Sequence, residues 1–336
     1  MIIPADSPRL TWQGAISLEH GDGWVKPWRI PYKEAALFPP ADRVPKHAQL
    51  PAGVRISFRT DTRSVAVNAE VVSDVSPMPQ QYGLIDVCSD GAFHCTARPQ
   101  DGRYVVRGLP QGRKVVEIWL PQAVEIRVKS IEVDDGASVG PNIDKRPKWV
   151  VYGSSITQCA KADSPSNTWP GVASRSMGLD LTCLGYGGSC YMEPMVARMV
   201  RDLPADYLTM KVGVNIYSVN ALSLRTFRAA AIGFVKIVRE KHPGTPYIVT
   251  SPIWSAPKET TPNAAGLTLQ AMRSELAEAV AALRALGDRN VHYLDGLKLL
   301  GPESPDLMGD PTHPNADGYR HMGEAFVRET RAVFGR

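Results

Sequence analysis

The hydrophobic pattern of this chain changes its period near residue 148, and this change restricts the possible folds more than any other feature of the sequence. Before that point, short segments such as Val54-Arg55-Ile56-Ser57-Phe58-Arg59 alternate apolar and polar residues, which is the pattern of a half-buried strand. Turn-forming groups, among them Ser89-Asp90-Gly91 and Pro110-Gln111-Gly112, separate these segments. The predicted strands cover residues 54–59, 65–72, 84–88, 104–107, 115–120 and 124–133. Since no amphipathic helix of ordinary length interrupts them, we expect an all-β sandwich of jelly-roll type.

After residue 148, apolar strands alternate with helical segments. The predicted strands are 149–152, 179–184, 207–212, 247–250 and 291–294, and the main predicted helices are 223–242, 268–286 and 315–334. This alternation is typical of an α/β fold with a parallel sheet, in which functional sites lie at the carboxyl ends of the strands. The glycine- and proline-rich segment 135–148 is the natural boundary. We therefore predict a β-sandwich accessory domain over residues 1–140 and a catalytic domain over residues 141–336.

Charge and composition exclude several classes of function. The 336 residues carry a net charge of +4, but basic side chains are scattered among acidic ones, so no nucleic-acid partner is expected. The densest basic patch, Lys145-Arg146-Pro147-Lys148, is interpreted as a solvated joint.

No apolar stretch is long enough to cross a bilayer, so we expect no membrane partner. No signal-type segment opens the chain, so we expect a cytoplasmic location, with secretion left open for a chain whose leader was removed. The five cysteines show no metal-binding spacing and are expected to be reduced thiols without a bound metal.

Two short motifs supply the residues of a nucleophilic site. Gly153-Ser154-Ser155-Ile156-Thr157 directly follows the first predicted strand of the second half, and Asp310-Pro311-Thr312-His313 precedes the last predicted helix. A serine hydroxyl becomes a good nucleophile when a base takes its proton and an acid orients that base. Asp310 is placed to hold one imidazole nitrogen of His313 while the other faces Ser155. Taken singly, each motif also fits a simple turn or a helix cap, but together they predict serine-dependent acyl transfer.

Two further segments offer donors for a negatively charged oxygen. Gly188 lies in a glycine-rich segment after the second predicted strand, and Asn215 follows the third. With the backbone N–H of Ser155, these groups form a candidate oxyanion hole, although a left-handed turn at Gly188 and a capping role for Asn215 are alternatives. Three aromatic residues near strand ends are candidates for substrate contact or, equally, for ordinary packing, namely Tyr191, Tyr217 and Trp254.

This ordered set of blocks, from Trp149 to the C-terminus, resembles the SGNH (GDSL) hydrolase superfamily, which is named after its Ser, Gly, Asn and His. The resemblance implies a flavodoxin-like three-layer α/β/α fold that needs no metal or organic cofactor. It implies that Ser155 is the nucleophile of a triad with Asp310 and His313. It also implies that the N–H groups of Ser155 and Gly188 and the Asn215 side chain form the oxyanion hole.

The sequence departs from the family pattern at two positions, because Ser154 and Ile216 stand where the family usually has aspartate. Neither position belongs to the implied triad or oxyanion hole. The β-rich first half together with Tyr152-Gly153-Ser154-Ser155-Ile156-Thr157 resembles a two-domain subgroup of this superfamily. That subgroup includes carbohydrate esterases and a salicylyl-acyltransferase of a tetracycline pathway.

These observations predict a serine esterase that forms an acyl-serine from an ester of a small acyl group, with a sugar or a secondary metabolite as the alcohol. One alternative is an acyltransferase that moves an acyl group from a thioester to an alcohol such as a polyketide. An alternative of another class is a carbohydrate-binding protein whose hydrolase domain is inactive. The expected partners are therefore small molecules, and the β domain is expected to act as a lid on the site. The sequence makes no prediction of the oligomeric state.

Overall fold

The computed structural model describes residues 1–73, 78–79 and 81–335, and up to residue 141 its strands form two antiparallel sheets. In chain order, these strands are β1 (Ile2–Pro4), β2 (Thr11–Gln13), β3 (Ser17–Gly21), β4 (Trp24–Trp28), β5 (Arg55–Thr60), β6 (Ser64–Val72), β7 (Ile85–Ser89), β8 (Ala92–Ala97), β9 (Arg103–Arg107), β10 (Lys114–Trp119), β11 (Glu125–Val133) and β12 (Val139–Pro141). One sheet has the order β3-β4-β11-β6-β9, with β1 beside β11. The other has the order β12-β5-β10-β7-β8, with β2 beside β5.

The alternation of side chains builds the core between these sheets. In β9, Tyr104 and Val106 are buried while the residues on either side of them are exposed, as a strand with one face in a core requires. In β11, a bulge between Val128 and Ser130 shifts the register against β6, so that both ends of this long strand keep apolar residues on the inner face. The predicted β-sandwich is confirmed.

The second half is built on a parallel sheet of β13 (Lys148–Gly153), β14 (Asp180–Gly185), β15 (Tyr207–Lys211), β16 (Tyr247–Thr250) and β17 (Val291–Leu294). Its strand order is β14-β13-β15-β16-β17, which is the flavodoxin-like order. The α-helices of the described residues are α1 (Val44–Ala48), α2 (Ser155–Gln158), α3 (Trp169–Met177), α4 (Pro194–Asp202), α5 (Val214–Val219), α6 (Leu224–Arg239), α7 (Leu269–Ala285) and α8 (Ala316–Thr330). One hydrophobic cluster joins the sheet to α4, α6 and α7, and another joins it to α3 and α8. Helices therefore cover both faces, and the predicted three-layer α/β/α fold is confirmed.

The register of this sheet brings four chain segments to one edge. Gly153 pairs with Gly185 on one side and with Lys211 on the other, and Lys211 pairs in turn with Thr250. These residues are the last of β13, β14, β15 and β16. The segments that follow them, which carry most of the predicted site residues, consequently begin side by side.

Buried arginines of the sandwich bind the backbone of the parallel sheet. Arg55 donates to the carbonyl of Leu181 at 2.9 Å and forms an ion pair with Asp180. Arg29 donates to the carbonyls of Cys183 at 3.0 Å and Gly185 at 2.6 Å. All three accepting carbonyls belong to β14, so the two halves are joined by direct hydrogen bonds.

In the segment Lys145-Arg146-Pro147-Lys148, interpreted as a solvated joint, Lys145 and Lys148 are exposed but Arg146 differs. Arg146 is only partly exposed and forms ion pairs with Asp144 and with the buried Glu117 of β10. A charged partner in the sandwich explains why this side chain does not extend into solvent. β12 pairs with β5 across residue 140, and the division into domains 1–140 and 141–336 stays a prediction.

Candidate active site

The geometry of the turn that carries Ser155 is set by the two residues that precede it. A side chain on Gly153 would overlap the side chain of Thr157, so only glycine allows the strand to turn this closely into α2. Ser154 is the N-cap of α2, and its hydroxyl accepts a hydrogen bond from the N–H of Ile156 at 3.2 Å. Serine thus performs the capping for which the aspartate of the usual family motif is also suited. Ser155 is the first residue of the helix.

The structure brings the serine, the histidine and the aspartate into one hydrogen-bonded line. Ser155 Oγ lies 2.9 Å from His313 Nε2. His313 Nδ1 lies 3.0 Å from Asp310 Oδ2, and Asp310 Oδ1 also accepts the backbone N–H groups of Thr312 at 2.7 Å and His313 at 2.8 Å. The carboxylate therefore closes its own tight turn and holds the imidazole ring at the same time.

Several contacts keep the Asp310 carboxylate ionised. Burial alone would raise its pKa, but the ion pair with Lys161 Nζ and the hydrogen bonds from His313 and Thr312 hold the pKa of Asp310 well below its usual range. An ionised carboxylate fixes the proton of the imidazole on Nδ1, and Nε2 is then free to accept the serine proton.

The three predicted oxyanion donors follow three adjacent strands. Ser155 follows β13, Gly188 follows β14 with a left-handed φ of +64°, and Asn215 lies in the first turn of α5 after β15. Among the described residues, nothing accepts a hydrogen bond from the N–H of Ser155, the N–H of Gly188 or the side-chain amide of Asn215. Asn215 is only 8% exposed. Three unpaired donors at one sheet edge are what an oxyanion requires.

Residues that sequence reasoning missed hold the Gly188 segment in place. Gln158 of α2 accepts the N–H of Gly187 at 2.9 Å and donates to the carbonyl of Gln122 at 3.2 Å. The ring of His47 lies against Gly187, where a Cβ would be 2.8 Å from its Cε1. Burial and the neighbouring Arg29 lower the pKa of His47 to about 4, so this ring is neutral. Because Gln122 and His47 lie in the first half of the chain, no local motif could have indicated them.

The three candidate aromatic residues have different positions. Tyr191 lies beside the oxyanion segment and its hydroxyl donates to the carbonyl of Gly188. Tyr217 donates instead to the carbonyl of Thr261 at 3.0 Å. Trp254 is partly buried in the segment after β16, and its neighbour Ser255 donates to the carbonyl of Pro311 at 2.5 Å. All three thus belong to segments next to the site, since Tyr217 lies on α5 with Asn215. A role of any of them in substrate binding stays a prediction.

Within the described ranges, no helix has both the length and the apolar character that a membrane span requires. The same residues contain no group of three or more histidine, cysteine or acidic side chains arranged to hold a metal ion.

Comparison with protein families gives two matches. The GDSL-like lipase/acylhydrolase family matches residues 146–331, and a family described as the N-terminal domain of SsfX3 matches residues 10–128. No curated protein sequence matches the chain.

Solved structures match along the whole chain. The salicylyl-acyltransferase SsfX3 from a tetracycline biosynthetic pathway is 36% identical, with a TM-score of 0.89 over 99% of this chain and 97% of its own. A protein from Bacteroides ovatus described as a GDSL-like lipase is 25% identical, with a TM-score of 0.81 over 100% of this chain and 98% of its own. A family two carbohydrate esterase from Clostridium thermocellum is 14% identical, with a TM-score of 0.68 over 98% of this chain and 99% of its own, and shows the same fold.

Proposed function

Because the chain belongs to the GDSL-like lipase/acylhydrolase family, we propose that it transfers a small acyl group through a covalent intermediate on Ser155. The observation that carries this proposal is the 2.9 Å contact between Ser155 Oγ and His313 Nε2, with Asp310 behind the imidazole. In our preferred form of the proposal, water is the final acceptor. The enzyme is then a serine esterase whose substrate is an acyl ester of a sugar or a secondary metabolite.

The first half of the reaction forms the acyl-serine. His313 Nε2 takes the proton of Ser155 as the serine oxygen bonds to the carbonyl carbon of the ester. The negative charge that develops on the carbonyl oxygen is held by the N–H groups of Ser155 and Gly188 and by the Asn215 amide. When the carbon–oxygen bond to the alcohol breaks, His313 returns the proton to the leaving alcohol. Asp310 stays ionised throughout and stabilises the imidazolium.

The second half releases the acyl group. A water molecule loses a proton to His313 Nε2 as its oxygen attacks the acyl carbon, and the same three donors hold the second oxyanion. The bond to Ser155 Oγ then breaks and the serine regains its proton from His313. No cofactor is required, because every proton moves between the substrate, the water and these side chains.

A second candidate function is acyl transfer from a thioester to an alcohol. It is supported by the similarity to the salicylyl-acyltransferase, which extends over both halves of the chain at 36% identity. The chemistry on Ser155 would be the same in both steps, with an alcohol oxygen in place of water. The third alternative, a binding protein with an inactive hydrolase domain, is not supported, because the residues for acyl transfer are assembled and the family is enzymatic.

The test is the hydrolysis of 4-nitrophenyl acetate by the wild type, Ser155→Ala and the control Ser218→Ala. Among the residues that the structure describes, the Ser218 hydroxyl donates to the carbonyl of Val214 on its own helix and to no other group. We expect the wild type and the control to release 4-nitrophenolate and Ser155→Ala to be inactive. A Ser155→Ala variant that keeps the wild-type rate would disprove the proposal.

The acceptor is tested by the time course of the same reaction. Steady release of 4-nitrophenolate in water indicates an esterase. A stoichiometric burst that stops, and that resumes when a sugar or polyketide alcohol is added, indicates an acyltransferase. An acyl-coenzyme A donor with the same alcohols then tests the use of a thioester.

A further inference from the structure

Lys211, the last residue of β15, is a buried cation without a partner. The residue is 3% exposed, and its ammonium group makes no hydrogen bond or ion pair with any residue in the described ranges. Its backbone carbonyl accepts a weak contact from Cys190 Sγ at 3.8 Å. Buried lysines are rare and are normally paired, because a charge is costly to remove from water.

The ionisable groups that face Lys211 do not compensate its charge. They are Cys159 at the end of α2, Cys190 in the segment after β14, and Arg273 of α7. Burial raises the pKa of both thiols, so neither supplies a negative charge. Arg273 is itself a cation and forms an ion pair with Glu259. Burial lowers the pKa of Lys211 to about 8, so the lysine is charged at neutral pH.

The position of Lys211 relates it to the proposed chemistry. It pairs with Gly153, two residues before Ser155, and it lies four residues before Asn215. Neighbouring strands are about 4.8 Å apart, so the lysine lies on the strand adjacent to the nucleophile turn and leads directly into the segment with the amide donor. Thr250, its partner on β16, has a buried hydroxyl that also makes no hydrogen bond within the described residues.

We propose that Lys211 supplies a fixed positive charge beneath the oxyanion hole and stabilises the negative charge that develops on the substrate carbonyl oxygen. This inference rests on the proposed acyl transfer through Ser155. Lys211 touches neither the substrate nor the reacting atoms, and its effect is electrostatic. Such a charge acts strongly in a site with low dielectric constant and needs no reorganisation when the oxyanion forms. An uncompensated charge that lowers stability is typical of residues retained for function.

The experiment measures the rate at which a fluorophosphonate labels Ser155, which reports attack by the serine without knowledge of the natural substrate. The variants are Lys211→Met, which removes the charge, and Lys211→Arg, which keeps it. We expect Lys211→Met to label about tenfold more slowly at pH 7, the order of effect expected for one unit charge acting through a protein interior. Lys211→Arg should stay within about twofold of the wild type, since the charge is kept.

The pH dependence separates an electrostatic role from a structural one. As pH rises through about 8, Lys211 loses its proton, so the rate advantage of the wild type over Lys211→Met should disappear. The advantage of Lys211→Arg over Lys211→Met should persist, because arginine stays charged. The control is Lys114→Met, which removes another buried lysine whose ammonium donates to the carbonyl of Gly112 in the sandwich, and it should label at the wild-type rate.

Stability gives a readout that does not depend on activity. The pKa of Lys211 lies below the ordinary lysine value of 10.5, so the charged lysine destabilises the folded state, and this cost disappears as pH rises from about 8 to 10.5. Lys211→Met should therefore resist urea better than the wild type at pH 7, with the difference in stability shrinking above pH 8.

If Lys211→Met fails to fold, the labelling rates of Lys211→Arg and the wild type across pH still test the inference. Only the wild type should label more slowly above pH 8, because only its side chain loses its charge there.

Two results would overturn the inference. One is equal labelling of Lys211→Met and the wild type across the pH range. The other is a Lys211→Met variant that is less stable than the wild type, together with a Lys211→Arg variant that loses as much stability. That result would show that Lys211 has a structural role. Ser155→Ala, measured in parallel, identifies a failure of the underlying proposal, because a fluorophosphonate that still labels that variant disproves the role of Ser155 and not only that of Lys211.

Discussion

Asn215 shows how one side chain can be placed for a single purpose. Its amide oxygen is buried and makes no hydrogen bond with the described residues. The N-cap of its helix is Gly213, which has a φ of +131° and lies so close to Pro252 that a Cβ would overlap it. That buried oxygen is an acceptor and cannot serve an oxyanion, whereas the amide NH₂ donates to none of the described residues. The donor half of this amide is the part that an oxyanion needs.

Removing this donor should affect turnover and leave folding nearly intact. We expect Asn215→Ala to lower kcat about 10²–10³-fold on 4-nitrophenyl acetate, the usual effect of losing one oxyanion donor. Thermal unfolding should change little, since no protein hydrogen bond is lost. Ser218→Ala, on the same helix, is the control. An unchanged kcat would exclude Asn215 from the site.

Asp310 allows a test of the histidine tautomer. In the wild type, the N–H groups of Thr312 and His313 donate to Asp310 Oδ1. In Asp310→Asn, the amide oxygen can still accept both of these hydrogen bonds. The amide NH₂ would then face His313 Nδ1 and force the ring proton onto Nε2, where it blocks acceptance of the serine proton. We expect kcat to fall about 10⁴-fold with a nearly unchanged melting temperature. A variant that keeps a tenth of the wild-type kcat would contradict this role.

At this scale, the sequence could indicate residues that lie in local motifs. Ser155, Asp310 and His313 occur in two short motifs, and the structure places them within hydrogen-bonding distance. Gln158 and Lys211 were not indicated, because their importance depends on loops and strands that meet only in the folded chain. A lysine within an apolar strand was the one available signal for Lys211.

The nucleophile turn has a tightly constrained geometry. A Cβ at Gly153 would overlap Thr157 and lie 3.2 Å from the carbonyl of Lys211. On both sides the obstacle belongs to an element that carries the site, so the turn cannot relax without moving Ser155.

Two glycine substitutions test this element. Gly153→Ala should lower the free energy of unfolding by about 1–3 kcal/mol through overpacking and should abolish esterase activity. Gly233→Ala, in the middle of α6 where a Cβ meets no atom within 4 Å, should raise it by about 0.5–1 kcal/mol and leave activity unchanged. Urea unfolding and 4-nitrophenyl acetate assays check both. An active Gly153→Ala variant would show that the turn tolerates a side chain.

Elements with caps and long periodic faces were well predicted. The predicted helices 223–242, 268–286 and 315–334 correspond to α6, α7 and α8. Ser223 forms a capping box, and Thr268 and Asn315 cap the other two. The nine-residue helices α3 and α4 and the short strands β1 to β4 were not predicted, because a few residues carry too little periodicity and tertiary contacts decide their structure.

On the scale of the whole molecule, both halves contribute side chains to one of the hydrophobic clusters. Trp28, Ile30, Phe38, Val44 and Ala48 from the first half belong to the same cluster as residues of β13, β15 and α6. A sandwich was predictable from the spacing of turns, but this joint core was not, because side chains of the first half give no sign of which neighbour they will meet.

Arg29 offers the most direct test of how strongly the two halves stabilise each other. It is fully buried and donates to four carbonyls, those of His47 and Leu50 in the first half and of Cys183 and Gly185 in the second. Arg29→Met would remove these four hydrogen bonds at a fully buried position, and we expect a loss of about 3–5 kcal/mol in the free energy of unfolding.

The matched control is Arg228→Met. Arg228 forms exposed ion pairs with Glu275 and Glu278, so its loss should cost less than about 1 kcal/mol. Chemical denaturation measures both variants. Equal and small effects would show that the halves are stable independently of Arg29.

The hydrogen bonds that Arg29 donates to carbonyls of both halves restrict how this protein can change over evolutionary time. A module that recombines freely between genes must fold without its former neighbour and leave that neighbour intact. Here the removal of either half would strip hydrogen-bond donors and apolar cover from the other. We therefore expect the two halves to be inherited together and new specificity to arise by substitution within the pair rather than by exchange of its members.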